Sequence, residues 1–180
     1  MDNNIKIILM AIGLIFIVAV FIIIISVQKP ETPPTSPEEE KPTEPVYEII
    51  IGDVKFKLEK VEDKGKVLVA TEDIYPKKNI TTTEKFIEVT ISAQNIGKDN
   101  IAEKNWNIEE IIDSEERKFY SPAETRPWTL QSANCGAVLK PAFTPTLCTK
   151  IYEVAEVSTG LKIKISSKQV QGDFFIDLGI

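Results

Sequence analysis

The chain has two cysteines and no histidine, and those two counts decide most of the chemistry open to it. Without an imidazole there is no Ser-His-Asp or Cys-His nucleophile, no histidine acid or base, and none of the commonest metal ligand. Two thiols alone do not complete a structural zinc site. What remains for Cys135 and Cys148, thirteen residues apart across Pro141 and Pro145, is to pair. In an oxidising compartment they would close that loop, and the chain-entropy model gives about 3 kcal/mol for a loop near this size. The competing reading is two buried free thiols behaving as small hydrophobes. An even cysteine count beside an apolar N-terminal anchor favours the disulfide.

Three other groups of residues could carry function. Glu109, Glu110, Asp113, Glu115 and Glu116 form the densest acidic group. It lacks the D-x-[DN]-x-[DN]-G spacing of a calcium loop, and strand alternation would turn neighbours to opposite faces. A solvated hairpin is the reading, and no metal site or cofactor is assigned. Paired-carboxylate glycoside hydrolysis needs two acids placed across a cleft, and nothing marks one. Arg126 and Trp128, in ETRPWTL, are residue types enriched at binding hot spots. A recognition loop over residues 126–130 is therefore the sharpest binding candidate, against the plainer reading that Trp128 packs on the domain. Asn79-Ile80-Thr81 is an N-glycosylation triplet in an expected loop, a pattern that a chain of this length carries about once by chance.

The elements that would position these residues begin with a membrane anchor. From Ile7 to Ile25 the chain reads IILMAIGLIFIVAVFIIII, with no charge and no polar face. As a helix this run is about 28 Å long, close to the roughly 30 Å hydrocarbon core of a bilayer. A cleaved signal peptide has a shorter apolar region and a small-residue cleavage site. Here Ser26-Val27-Gln28-Lys29-Pro30 follows, with no A-x-A pattern and no cysteine for lipid attachment. Lys6 precedes the run, and Lys29 and Lys41 follow it, so charge alone does not place the N-terminus inside. The cysteine pair is the reason for placing the C-terminal part outside. Residues 1–28 are read as the anchor and residues 29–45 as a linker. Six of the eleven prolines fall in PETPPTSPEEEKPTEP, which is extended and solvated.

Residues 46–180 are enough for one core. Period-two alternation runs through them. Val54, Phe56 and Leu58 alternate with Lys55, Lys57 and Glu59, and Lys66 to Ala70 reads as a separate short strand. Residues 72–83 are expected to be a long loop. Ile87-Glu88-Val89-Thr90-Ile91-Ser92-Ala93 predicts a strand with one buried and one wet face, ended by the turn residues NIGKDN. Residues 106–112 and 117–120 predict a hairpin around DSEE, with Trp106 in the core. A helical turn is expected near residues 101–105, loop over 121–142, and strands over 146–154, 160–165 and 174–178. The fold class these strands give is an all-β antiparallel sandwich of seven or eight strands, preceded by one transmembrane helix, which the resemblance below makes immunoglobulin-like.

Three blocks carry a resemblance: FIEVTISAQNIGKDN, NIEEIIDSEERKFY and AVLKPAFTPTLCTKIYEVAE. They resemble the telokin-like, immunoglobulin-like domains of secreted and membrane-anchored prokaryotic proteins, over roughly residues 51–178. In that family the blocks are a strand ending in an Asn-x-Gly turn, a hairpin of the form Asp, polar turn, aromatic, and a proline turn leading into a strand. The family usually has Gly after that proline, where this chain has Ala142 after Pro141, and it does not depend on a cysteine pair. The family has no agreed activity and includes a secreted mycobacterial antigen type. The resemblance implies an exported domain for binding.

The balance of 21 basic against 27 acidic residues leaves no basic excess, so nucleic acid is not an expected partner. The expectation is a non-enzymatic single-pass protein of the cell membrane. Its anchor is Ile7 to Ile25, and its C-terminal domain is extracytoplasmic and recognises a protein or envelope component. The alternative is an accessory or sensor subunit of a membrane protein complex.

Overall fold

Alternating apolar and polar residues become two four-stranded antiparallel sheets in the computed structural model, which describes residues 44–72, 74, 78–129 and 134–180. The first sheet holds β1 (Glu48–Ile51), β2 (Val54–Leu68), β3 (Ile80–Asn95) and β6 (Thr146–Val154), in the order β1-β2-β3-β6. The second holds β4 (Trp106–Ile112), β5 (Lys118–Phe119), β7 (Lys162–Ser167) and β8 (Phe174–Asp177), in the order β5-β4-β7-β8. Their inner faces meet over one core. Phe56, Ile87, Val89, Ile91, Cys148 and Tyr152 come from the first sheet, and Trp106, Ile108, Ile111, Ile163, Ile165 and Ile176 from the second. Each such side chain contributes about 1.5–3 kcal/mol by leaving water. Phe56 and Trp106 meet across the layers with ring centroids 6.0 Å apart.

The expected separate strands at residues 54–59 and 66–70 are one strand. Three register shifts, the last between Gly65 and Val67, hide its continuity from a period-two reading. Leu58 pairs with Ile91 and Lys60 with Thr90, so Glu59 is an extra residue, and the inward set shifts from Leu58 to Val61. A second shift follows at Lys64, beside Gly65 with φ 69°. The expected loop over 72–83 is shorter than its bounds, because Ile80 and Thr81 already pair with Leu68 and Val67. The β-branched run Ile-Thr-Thr-Thr suits a strand.

The wet face of β3 is also not wet throughout. Phe86 and Ile151 share the outer face of the first sheet and join Leu68 in a second small core, with Ile80 and Trp128 packed against it. Ser92 is buried too, and its hydroxyl donates to Glu59 Oε1 at 2.8 Å. Residues 101–105 form no helix. Ile101 bridges to Leu139, and Lys104 turns the chain with φ 61°. The stretch expected as pure loop carries a 3₁₀ helix, Ala123–Trp128.

The two sheets are also tied by polar contacts. The β4–β7 ladder steps three residues on β4, from Ile108 to Ile111, against two on β7. β5 reaches only Ile111 and Ile112. The Ile108 and Glu109 carbonyls at this bulge accept hydrogen bonds from β6 instead, from Lys150 Nζ and from the Tyr152 hydroxyl at 2.7 Å. Burial, with Glu109 and Glu110 adding to it, keeps the Tyr152 phenol far from ionising.

The expected transmembrane helix at residues 7–25 and the linker up to residue 43 lie outside the described residues. Among the described residues, no helix is long and apolar enough to cross a membrane.

Candidate functional site

β5 ends in one sheet and β6 begins in the other, so residues 120–145 must cross the side of the sandwich. The 3₁₀ helix of this crossover lies against β6. Thr125 fastens it: its side chain is buried, and its hydroxyl lies 2.8 Å from the Pro122 carbonyl and 3.3 Å from that of Ile151 on β6. Further along, the crossover is fixed covalently. Cys135 and Cys148 are joined as a disulfide, with Cα atoms 4.6 Å apart and Cys148 fully buried on the inner face of β6.

Between the crossover and the strands lies a pocket of about 540 Å³. Asn107 from β4, Ser121, Arg126 and Thr129 from the crossover, and Thr149 and Lys150 from β6 line it. Arg126 is exposed, and among the described residues no carboxylate pairs with it or with Lys150. Burial is the main cause that lowers the Lys150 pKa. Glu109 opposes that shift, and the charge of Arg126 adds to it. The arrangement offers two cations and neutral hydrogen-bond donors.

The structure separates Arg126 from Trp128. Trp128 lies half-buried on the second small core, and its indole N–H donates to the Val69 carbonyl at 2.9 Å. It lines a different groove, of about 490 Å³, together with Asn79 and Pro127. The expected single recognition loop is thus two surfaces, because a 3₁₀ helix turns alternate residues to different sides. Leu130, its last residue, lies outside the described residues. Asn79 is exposed at the start of β3, and its Oδ1 accepts the Ala70 N–H at 2.9 Å.

The acidic hairpin is not uniformly solvated. Asp113 is buried and caps the β4–β5 turn, accepting from the backbone N–H groups of Glu115 and Arg117, from Arg117 Nε at 2.7 Å and from the Ser158 hydroxyl at 2.8 Å. Burial alone would raise its pKa. The bonds from Arg117 and Ser158 outweigh that and bring it from 3.8 down to about 2. Glu110 pairs with Lys118 and Lys164, and Glu115 with Arg117. Among the described residues, no group of three or more His, Cys, Asp or Glu is placed to hold a metal ion.

Lys150 is the residue the sequence reading passed over. The signal was present: Cys148, Lys150, Tyr152 and Val154 share one face of β6, and three of the four are fully buried. A lysine on a core-facing position calls for a polar partner, and the bulge carbonyl supplies it.

No protein-family model and no curated protein matches the chain. Among solved structures, the fold is similar to that of a conserved hypothetical protein from Bacillus anthracis, at 12% identity and a TM-score of 0.51. That match covers 74% of this chain and 94% of the other. An uncharacterized β-sandwich protein from Clostridium difficile also matches, at 12% identity and a TM-score of 0.43, over 79% of this chain and 99% of the other. The first likeness shows the β-sandwich fold.

Proposed function

We propose that the chain is a membrane-anchored binding module whose β-sandwich lies outside the cytoplasm and recognises a protein or cell-envelope component. One observation carries this reading. Arg126, with no carboxylate partner among the described residues, lines a formed pocket whose wall is fastened by the Cys135–Cys148 disulfide. A disulfide suits an oxidising compartment, and the uncharged run at residues 7–25 suits an anchor. No catalytic group is assigned.

The strand order supports an immunoglobulin-like reading. β3 beside β6, and β4 beside β7 beside β8, match the B–E and C–F–G pairings of that fold, with β5 in the C′ place. Antibody domains link strands B and F by a disulfide. Here the bond instead joins the crossover to the E-like strand, so it serves the side of the sandwich rather than its centre. The telokin-like assignment rests on the three sequence blocks and belongs to the same reading.

The test is capture of partners from membranes by the full-length chain and by residues 46–180 alone, each with and without Arg126→Ala. Partners kept by residues 46–180 and lost with Arg126→Ala support recognition by the domain. Partners lost with the anchor support an accessory or sensor subunit. That second reading is favoured by exposed Val138, Phe143 and Leu147, which line one hollow of about 380 Å³.

A further inference from the structure

Four side chains around the Arg126 pocket hold hydrogen-bond donors that the described residues leave open. The Arg126 guanidinium carries five N–H groups and makes no side-chain hydrogen bond among the described residues. The Lys150 ammonium carries three and gives one to the Ile108 carbonyl. The Asn107 amide and the Ser121 hydroxyl also make no hydrogen bond among the described residues. The remaining two hydroxyls are engaged: Thr129 Oγ1 donates to the Arg126 carbonyl at 3.2 Å, and Thr149 Oγ1 meets Thr90 Oγ1 at 2.9 Å.

Among the described residues, no carboxylate lines this cavity. Glu109 is the acid that acts on Lys150, and its Oε1 already accepts the Ser166 hydroxyl at 2.6 Å. Two like charges in a partly dehydrated site repel each other, and a bound anion relieves both. A carboxylate offers two oxygens to this set of donors, whereas a phosphate offers three or four and takes an arginine fork with one pair.

We propose that this pocket binds a phosphate group, held by Arg126 and Lys150 with Asn107 and Ser121 completing the shell. The proposal rests on the reading of the chain as a binding module and names the chemistry of the ligand's charged end. The phosphate is either free or carried as a diester on a larger molecule.

The experiment uses the full-length chain in nonionic detergent with isotope-labelled lysine, followed by NMR. It is titrated with inorganic phosphate, dimethyl phosphate and acetate, against chloride at matched ionic strength. The Lys150 signal should shift saturably with a phosphate while that of exposed Lys66 does not. Arg126→Gln, which removes no internal bond, should weaken binding by at least about fivefold, as should Lys150→Gln, and Lys118→Gln should leave it unchanged. Tighter binding of dimethyl phosphate assigns a diester ligand, and tighter binding of inorganic phosphate a free one.

A Lys150 shift no larger than in chloride, acetate binding as tight as phosphate, or unchanged affinity in Arg126→Gln overturns the proposal. The two levels come apart experimentally. A membrane partner retained by Arg126→Gln with no phosphate response sinks the phosphate site and leaves the binding module standing. A phosphate response with no partner at all does the reverse.

Discussion

Asp113 shows how one side chain can carry a turn and make stability depend on pH. Its folded pKa of about 2 lies below the ordinary 3.8, so the carboxylate form is favoured by folding. The stabilisation is complete above the unfolded pKa, and it is lost as pH falls from about 4 to about 2. Denaturation of the chain and of Asp113→Asn should therefore give a gap that is constant near neutral pH and closes over that window. A gap that does not change with pH would mean the carboxylate charge is not what holds the turn.

Asn95 makes a comparable case without charge. Its Oδ1 accepts the Gly97 N–H at 2.9 Å, and its Nδ2 donates to the Asp99 and Leu139 carbonyls at 2.7 and 3.0 Å. It is buried, so Asn95→Ala should cost about 1–2 kcal/mol in a urea titration by removing these bonds, although the Leu139 carbonyl keeps the Ile101 N–H. Ala142 stands where the resembling family has glycine, and it adopts φ 61°. A left-handed alanine costs about 1–2 kcal/mol, part of which glycine returns as unfolded-state entropy. Ala142→Gly should then stabilise by about 0.5–1 kcal/mol, and a loss of stability would show that the turn does not need that conformation.

At the scale of elements, the sheets were legible wherever the period of two held. The inward set of Ile87, Val89, Ile91 and Ala93 follows from alternation alone. β2 was not legible as one strand, because bulges at Glu59 and Lys64 shift its inward set. The site was half legible. Arg126 and the cysteines stood out by type, and the register of β6 marked Lys150 as core-facing, whereas its place beside Arg126 shows only once β6 lies beneath the crossover. The 3₁₀ helix left no periodic trace at six residues long.

Two element-level predictions follow from the side of the sandwich. Reducing the Cys135–Cys148 bond should lower the urea midpoint by an amount equivalent to about 2–4 kcal/mol, since it frees a thirteen-residue separation in the unfolded chain. Tyr152→Phe should cost about 1–3 kcal/mol, because the Glu109 carbonyl at the β4 bulge loses its partner in the core. A neutral result for the second would mean that water takes the place of the hydroxyl.

At the scale of the whole molecule, the proposal is a membrane-held N-terminus followed by a sandwich in an oxidising space. The sequence supports the anchor, and the structure supports the sandwich and the joined cysteines. The binding role rests on placing the pocket where outside ligands reach it. Thiol labelling of intact cells making the full-length chain, with a membrane-impermeant reagent, tests that placement directly. The expected result is that Cys135, the partly exposed half of the disulfide, stays unlabelled until a reductant is added, and then labels without opening the membrane. Labelling that needs a permeabilised membrane and no reductant would put the domain in the cytoplasm and contradict it.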